Sequence, residues 1–356
     1  MPFGRGAPNN PSNRFLPIEF ERDPDFYGGS FEEELGANPV TQFWDDRSQS
    51  VVSRNDSPDI PMEFTANPYR GCEHGCSYCY ARPTHEYLGY SAGLDFETQI
   101  LVKKQAPELL RRTFLKKSWQ PKMIALSGVT DPYQPVEARL QVTRRCLEVF
   151  LEFGNPVQLI TKNFLITRDL DLCAALAKQR LVRVNLSITS LDDQLTARME
   201  PRASSPKRRL EAIRRLTEAG IPVKVMVSPV IPGLNDHEMP NILLAAAQAG
   251  ATSAGYIPLR LPGNVESVFL SWLEQHYPER SQKILNRVRE LRGGHLNDGR
   301  FHTRFTGEGK AAEHLGQLFQ LGLKRAGLRE QAAPLRVDAF RRPAREEDGS
   351  GQLSLF

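Results

Sequence analysis

Along the middle of the chain, apolar and polar positions follow two periods. Short β-branched runs at Phe64–Pro68, Met123–Ser127, Val157–Thr161, Leu181–Ile188, Val223–Val227 and Ser253–Leu259 predict buried strands. Between them, Glu108–Lys117, Thr143–Phe153, Asp169–Gln179, Pro206–Ala219 and Glu238–Ala249 carry apolar residues at helical spacing. Ala219-Gly220-Ile221-Pro222-Val223 ends one of these helices and opens the next strand. Such an alternation predicts an α/β fold with a parallel sheet and helices outside it. Six β/α units fall short of the eight in a closed barrel, so the expectation is a partial (β/α)6 TIM-type barrel.

Beyond Leu261 the pattern turns helical only, at Val265–His276, Glu279–Leu291 and Gly309–Arg325, which are expected to close or flank the barrel. Residues 1–60 are rich in Gly, Pro, Asn, Asp and Ser without a sustained period and read as an irregular N-terminal arm. The predicted division is therefore arm 1–60, core barrel 61–262, helical extension 263–328 and a flexible tail 329–356. Neither an N-terminal apolar stretch nor an apolar run of about 18 residues is found, so the expected location is cytoplasmic and not membrane-bound.

Composition changes this picture little. The 356 residues are 40% hydrophobic and 25% charged, with a formal net charge of +4 that permits a polyanionic partner without requiring one. The five cysteines matter more, because three of them crowd into eight residues and the odd count argues against a disulfide framework. The run Asn67-Pro68-Tyr69-Arg70-Gly71-Cys72-Glu73-His74-Gly75-Cys76-Ser77-Tyr78-Cys79-Tyr80 follows the first predicted strand. Its C-x3-C-x2-C spacing lets Cys72, Cys76 and Cys79 each bind one iron of a 4Fe–4S cubane and leaves the fourth iron open for chemistry. Gly71 and Gly75 allow the backbone to fold closely round the sulfurs. The competing reading is structural zinc, with His74 or His85 as fourth ligand; the loop's address at a strand's C-terminal end favours the cluster. Cys146 and Cys173 lie on helical patterns beside Leu147 and Leu172 and read as core thiols.

Spacing, position and the aromatic Tyr78 resemble the radical-SAM superfamily, over a span running to about Leu261. The resemblance implies S-adenosylmethionine (SAM) as second cofactor, chelated at the open iron and cleaved by one electron to a 5′-deoxyadenosyl radical. It also implies SAM contacts at successive strand ends. The residues matching that expectation are Thr130 and Asp131 for the ammonium, Lys162 for the carboxylate, Ser187 for the ribose and the stretch from Val227 to Gly233, with Ser228, for adenine. Glu200-Pro201-Arg202 reads as a pocket pair or as an ordinary charge cluster at a helix start.

Within the superfamily the chain most resembles an uncharacterised bacterial group related to spore photoproduct lyase. Tyr78 and Tyr80 resemble the lyase tyrosines implicated in passing a hydrogen atom, and are the expected catalytic pair. One departure stands out. The lyases carry a hydrogen-donating cysteine just before the Ser/Thr-Asp, where this chain has Ser127-Gly128-Val129-Thr130.

The chain ends Gln352-Leu353-Ser354-Leu355-Phe356, which resembles the peptide by which bacterial DNA polymerases and repair proteins dock on the sliding clamp. That resemblance implies a clamp partner and work on DNA. Arg202, Lys207, Arg208, Arg209, Arg214 and Arg215 could then meet phosphates, or form a solvated helix face. The leading expectation is a radical-SAM enzyme repairing or modifying a DNA base, supplied with electrons by a reductase such as flavodoxin or ferredoxin. The alternatives are an RNA, protein or small-molecule substrate, and a non-catalytic Fe–S or zinc module docking on the clamp.

Overall fold

The computed structural model describes residues 4–16 and 40–343. Among the described residues ten strands form: β1 (Gln42–Asp45), β2 (Val52–Arg54), β3 (Phe64–Ala66), β4 (Tyr69–Arg70), β5 (Gln99–Val102), β6 (Ile124–Leu126), β7 (Val157–Thr161), β8 (Val182–Ser187), β9 (Val223–Val230) and β10 (Ser253–Pro258). Seven make one sheet in the order β10-β9-β8-β7-β6-β3-β2. From β3 to β10 the six neighbours are parallel, and β2 closes the edge antiparallel to β3. This is the expected partial barrel.

The central strands β7, β8 and β9 largely alternate in character, with Ile160 and Met226 as exceptions. Val157, Leu159, Val182, Val184, Leu186, Val223, Val225 and Val227 are buried in the main apolar core. By the period of two, Gln158, Arg183, Asn185, Ser187, Lys224 and Ser228 point to the other face. Arg183 Nε donates to Gln158 Oε1 at 3.0 Å across that face. These strands are thus apolar towards the helices and mostly polar towards the hollow, rather than apolar throughout.

The longer helices are α1 (Ala106–Leu115), α2 (Val142–Phe153), α3 (Leu170–Lys178), α4 (Pro206–Glu218), α5 (Met239–Gln248), α6 (Val265–His276), α7 (Pro278–Leu291) and α8 (Gly309–Ala326). Helix α8 lies on α5, placing Leu315, Phe319 and Leu323 in the same core as Ile242 and Leu243. Gly322 makes this approach possible, because a Cβ there would stand 2.6 Å from Leu243 Cδ1 and 3.2 Å from Pro240 Cα. Among the described residues no helix is long and apolar enough to cross a membrane.

Two stretches depart from expectation. The presumed arm contains β1 and β2, and β1 joins β5 and β4 in a small separate sheet, ordered β1-β5-β4. The first part of the predicted flexible tail is docked. Ala254 N–H donates to the Arg329 carbonyl at 2.8 Å, Arg341 N–H donates to the Phe153 carbonyl at 2.8 Å, and the Phe340 ring packs edge-on to Phe114. Arg342 donates to the carbonyls of Phe114, Lys116 and Trp119. The carbonyls left open at the ends of α1 and α2 give this polar segment its partners, which a search for hydrophobic repeats does not detect. Residues 344–356, including the clamp-like peptide, lie outside the described residues.

Candidate functional site

Strands β4 and β5 bracket the cysteine loop, and Cys72 N–H donates to the Phe96 carbonyl at 2.9 Å. The turns at Gly71 and Gly75 take φ of 81° and 65°, in the left-handed region that favours glycine. Inside the loop a wholly buried ion pair joins Arg82 to Glu97. Arg82 also donates to the carbonyls of Cys76 (3.0 Å), Ala92 (3.1 Å) and Gly93 (2.8 Å). Glu97 accepts from the backbone N–H groups of Gly6 (3.0 Å) and Ala7 (2.8 Å), so the N-terminal segment runs against the loop. A Cβ on Gly6 would fall 1.6 Å from the Gly75 carbonyl oxygen, which leaves room there for glycine alone.

All three loop thiols are free, Cys72 and Cys76 buried and Cys79 half-buried. Burial, with Asp131 and the other two thiols, pushes the Cys72 thiol well up. Burial and Glu200 raise Cys76 against the opposing pull of Lys162, and burial raises Cys79 against that of Arg82. Lys162 and Arg82 are cationic neighbours that would help balance the thiolates once iron displaces the protons. Of the two histidines of the zinc reading, His74 has both ring nitrogens engaged and His85 only Nε2, its Nδ1 being buried without a partner. His74 faces Asp131 Oδ2 from Nδ1 at 3.3 Å and Asn163 Nδ2 from Nε2 at 2.9 Å. His85 Nε2 meets the Gln99 carbonyl at 2.8 Å, and burial lowers its pKa to about 4. Three free thiols on one short loop turned at two glycines suit a three-cysteine cluster site.

The residues predicted for SAM separate into two groups. Thr130 donates from its hydroxyl to the Gly71 carbonyl at 2.6 Å and accepts from Gln134 Nε2 at 3.1 Å. Asp131 accepts from Thr161 Oγ1 (2.7 Å) and from the N–H groups of Lys162 (2.9 Å) and Tyr133 (2.9 Å), besides facing His74. Burial would raise its pKa, and His74 with these donors holds it below the ordinary value. In the structure these polar atoms bind the cysteine loop to the ends of β6 and β7.

Lys162, after β7, is different. Its ammonium forms no hydrogen bond or ion pair among the described residues and lies 5.9 Å from the centre of the Tyr78 ring. Burial would lower its pKa, but Cys76 and Glu200 hold it above the usual lysine value. Ser187 ends β8, buried, with its carbonyl accepting from Arg209 Nη1 at 3.2 Å. The Ser228 carbonyl, in β9, accepts from Thr189 Oγ1 at 3.4 Å.

At the centre stands Glu200, which the sequence left between two readings. Its carboxylate is buried, pairs with the buried Arg209 guanidinium, and accepts from Tyr78 Oη and from Thr189 Oγ1 at 2.6 Å. Burial would raise its pKa; Arg209 and Lys162 hold it below the usual carboxylate range. The same segment is sewn to the loop, since Ser77 N–H donates to the Met199 carbonyl and Arg202 N–H to that of His74. The two tyrosines expected to act as a pair part company. Tyr78 is buried on Glu200, and burial keeps its phenol protonated. Tyr80, 56% exposed, stands at the open rim.

The basic stretch is largely neutralised within the fold. Arg202 pairs with Glu73, Arg209 with Glu200, and Arg214 and Arg215 with Glu211, while Arg208 stacks on Phe164 at 3.5 Å. Sequence reasoning missed Arg82, Glu97 and Gly6, and missed that Arg209 points inward. An arginine on the buried face of α4, with Ala212, Ile213 and Leu216, is the one signal that could have revealed it.

A model of the Radical SAM superfamily matches residues 66–246, which hold the cysteine loop, Lys162 and Glu200. The uncharacterized protein Rv2578c of Mycobacterium tuberculosis is 36% identical over 279 residues, 77% of this chain and 78% of its own length. The uncharacterized protein MJ0683 of Methanocaldococcus jannaschii is 29% identical over 226 residues, 64% of this chain and 81% of its own. The Radical SAM Nalpha-GlyT isomerase of Pseudomonas phage M6 is 24% identical over 203 residues, 57% of this chain and 40% of its own. Among solved structures, a spore photoproduct lyase variant with bound AdoMet and dinucleoside spore photoproduct superposes with a TM-score of 0.60. It covers 82% of each chain at 17% identity, a likeness of fold.

Proposed function

Since this chain belongs to the radical SAM superfamily, we propose that it uses a 5′-deoxyadenosyl radical to transform a nucleic-acid base. The family carries a 4Fe–4S cluster and SAM, which when bound supply the one-electron cleavage that makes this radical. Cys72, Cys76 and Cys79 would hold the cluster. The observation that carries the reading is Lys162: an unpaired ammonium beside Cys76 and Tyr78, at the strand end next to the cysteine loop. An ammonium so placed would take the SAM carboxylate in a charge-assisted bond. Ser187 and Ser228 stand at the next two strand ends for the remainder of the ligand. Tyr78, tied to Glu200, would keep its position through turnover, and rim-exposed Tyr80 is the tyrosine free to meet substrate.

A nucleic-acid substrate draws support from the fold shared with a lyase that binds a dinucleoside. The missing thiol before Thr130 argues against that lyase's own route of hydrogen return. Adding single-stranded or damaged DNA to the reduced, reconstituted enzyme should raise the rate of 5′-deoxyadenosine formation. Stimulation by RNA, protein or a small metabolite instead would redirect the assignment.

Lys162→Ala should weaken SAM binding by ten- to a hundredfold, on the order of the 1.5–3 kcal/mol of a charged hydrogen bond, with bound iron retained. Unchanged SAM affinity in equilibrium dialysis would remove Lys162 from the site. We also propose that Gln352, Leu353, Ser354, Leu355 and Phe356 dock on the sliding clamp, and that a reductase such as flavodoxin or ferredoxin supplies the electron. Deleting the last five residues should abolish co-purification with the clamp while SAM cleavage continues; equal capture with and without them would dismiss this partner.

A further inference from the structure

At the C-terminal end of β10 the chain runs through Leu259, Arg260 and Leu261, at the same end of the sheet as the cysteine loop and Lys162. Leu259 and Leu261 are buried in one apolar cluster with Cys76 and Tyr78. Arg260, between them, forms no hydrogen bond or ion pair among the described residues, and its Nε is buried without a partner. What holds it is a ring: its guanidinium carbon lies 4.4 Å from the centre of Phe305. Arg304 lies 5.2 Å from the same ring and 4.9 Å from that of Phe301.

The other arginines of this rim have hydrogen-bond or ion-pair partners, although the Arg292 Nε is, like that of Arg260, buried without one. Arg304 pairs with Asp59, and Arg300 with Asp298 and Glu308. Arg292, wholly buried, donates to the carbonyls of Leu259 (2.5 Å), Thr303 (3.2 Å) and Arg304 (3.0 Å), which pins the aromatic loop to the end of β10. Among the described residues Arg260 alone of these has neither a hydrogen bond nor an ion pair, its carboxylate neighbour, Asp59, being paired with Arg304. Such a charge, half-withdrawn from water and unpaired, is costly unless a ligand completes it.

Its surroundings indicate which ligand. Tyr80, next in sequence to Cys79, is an electrostatic neighbour of both Arg260 and Lys162. Phe301 is 55% exposed and Tyr80 56%. A planar cation beside exposed rings is the arrangement that takes a phosphodiester and stacks unpaired bases. An acidic peptide would use the charge and leave the rings bare. We propose that Arg260, on its Phe305 floor, is a phosphate subsite for the substrate strand, with Phe301 and Tyr80 offering stacking faces for its bases. This rests on the nucleic-acid reading above and adds where the strand is held.

The test is fluorescence anisotropy of a short fluorescein-labelled oligothymidylate with the full-length, cluster-loaded protein, over a salt series. Arg260→Ala should weaken binding about tenfold or more and lower the salt slope by about one. Arg260→Lys should keep the slope and recover part of the affinity, and Phe301→Ala should cost about tenfold. Arg325→Ala, on exposed α8 near the opposite end of the barrel, should change nothing. Iron content and thermal melting check that each variant is folded. If the wild-type protein binds and Arg260→Ala binds equally, or if Arg325→Ala loses as much, the subsite is wrong while the nucleic-acid reading stands. If the cluster-loaded wild-type protein binds no oligothymidylate, both fall. Displacement of the oligonucleotide by polyglutamate at equal charge would also overturn the subsite, in favour of an acidic polypeptide.

Discussion

Cys76→Ala protein, reconstituted anaerobically with iron and sulfide, should hold no stable 4Fe–4S cluster and form no 5′-deoxyadenosine, whereas Cys146→Ala and Cys173→Ala should do both. The contrast follows from where the thiols lie. Cys76 shares the loop with Cys72 and Cys79, and its electrostatic neighbours are Cys79, Lys162 and Glu200. Removing one of three ligands leaves two irons of a cubane without protein attachment. Cys146, on α2, and Cys173, on α3, are fully buried in the main core among Leu147, Phe150 and Leu176. Each is a small core side chain, and truncation to alanine should cost stability of about 1 kcal/mol without touching the site. Iron and sulfide analysis with visible absorbance reads the first effect, and denaturant melts the second. Full cluster occupancy in Cys76→Ala would refute the ligand set.

Glu200→Ala should destabilise the fold by roughly 3–5 kcal/mol, because it leaves the Arg209 guanidinium buried and unpaired. Tyr78 and Thr189 lose their acceptor as well. The double variant Glu200→Leu with Arg209→Met should regain much of this stability, since apolar residues of similar size often replace a buried pair at little cost. It should not regain SAM binding, because Lys162 then lacks the carboxylate that helps hold its charge. A double variant that binds SAM normally would make the network structural only. The linkage to pH has a definite sign. The folded state holds the Glu200 pKa below its unfolded value. The stability it gives is therefore present above the unfolded pKa and lost as pH falls through the folded one.

The barrel is legible in the sequence because its signal is periodic. Val157–Thr161 and Val265–His276 take the predicted bounds, and the other core strands and helices differ at their ends by a few residues. The small sheet is not legible, since β1, β4 and β5 have at most four residues each and pair across long stretches of chain. The cysteine loop was evident from spacing, and Lys162 from its place after a strand. Arg82, Glu97 and the inward turn of Arg209 were not, and Glu200 stood between two readings, because a buried charge has no period and is identified by its partner alone. The partners of Thr130 and Asp131 were equally illegible: a polar residue at a strand end does not announce in the sequence that it binds a neighbouring loop. The docked stretch ending at Arg342 escaped for a related reason, being held chiefly by backbone carbonyls and one aromatic ring.

The central claim is that this chain holds a three-cysteine cluster that cleaves SAM reductively, and the direct measurement is 5′-deoxyadenosine released by the full-length, anaerobically reconstituted protein given reductant and SAM. The account predicts 5′-deoxyadenosine from the wild-type chain and none when Cys72, Cys76 and Cys79 are all alanine. A wild-type protein with a full complement of iron and sulfide that yields no 5′-deoxyadenosine, with or without nucleic acid, would contradict it.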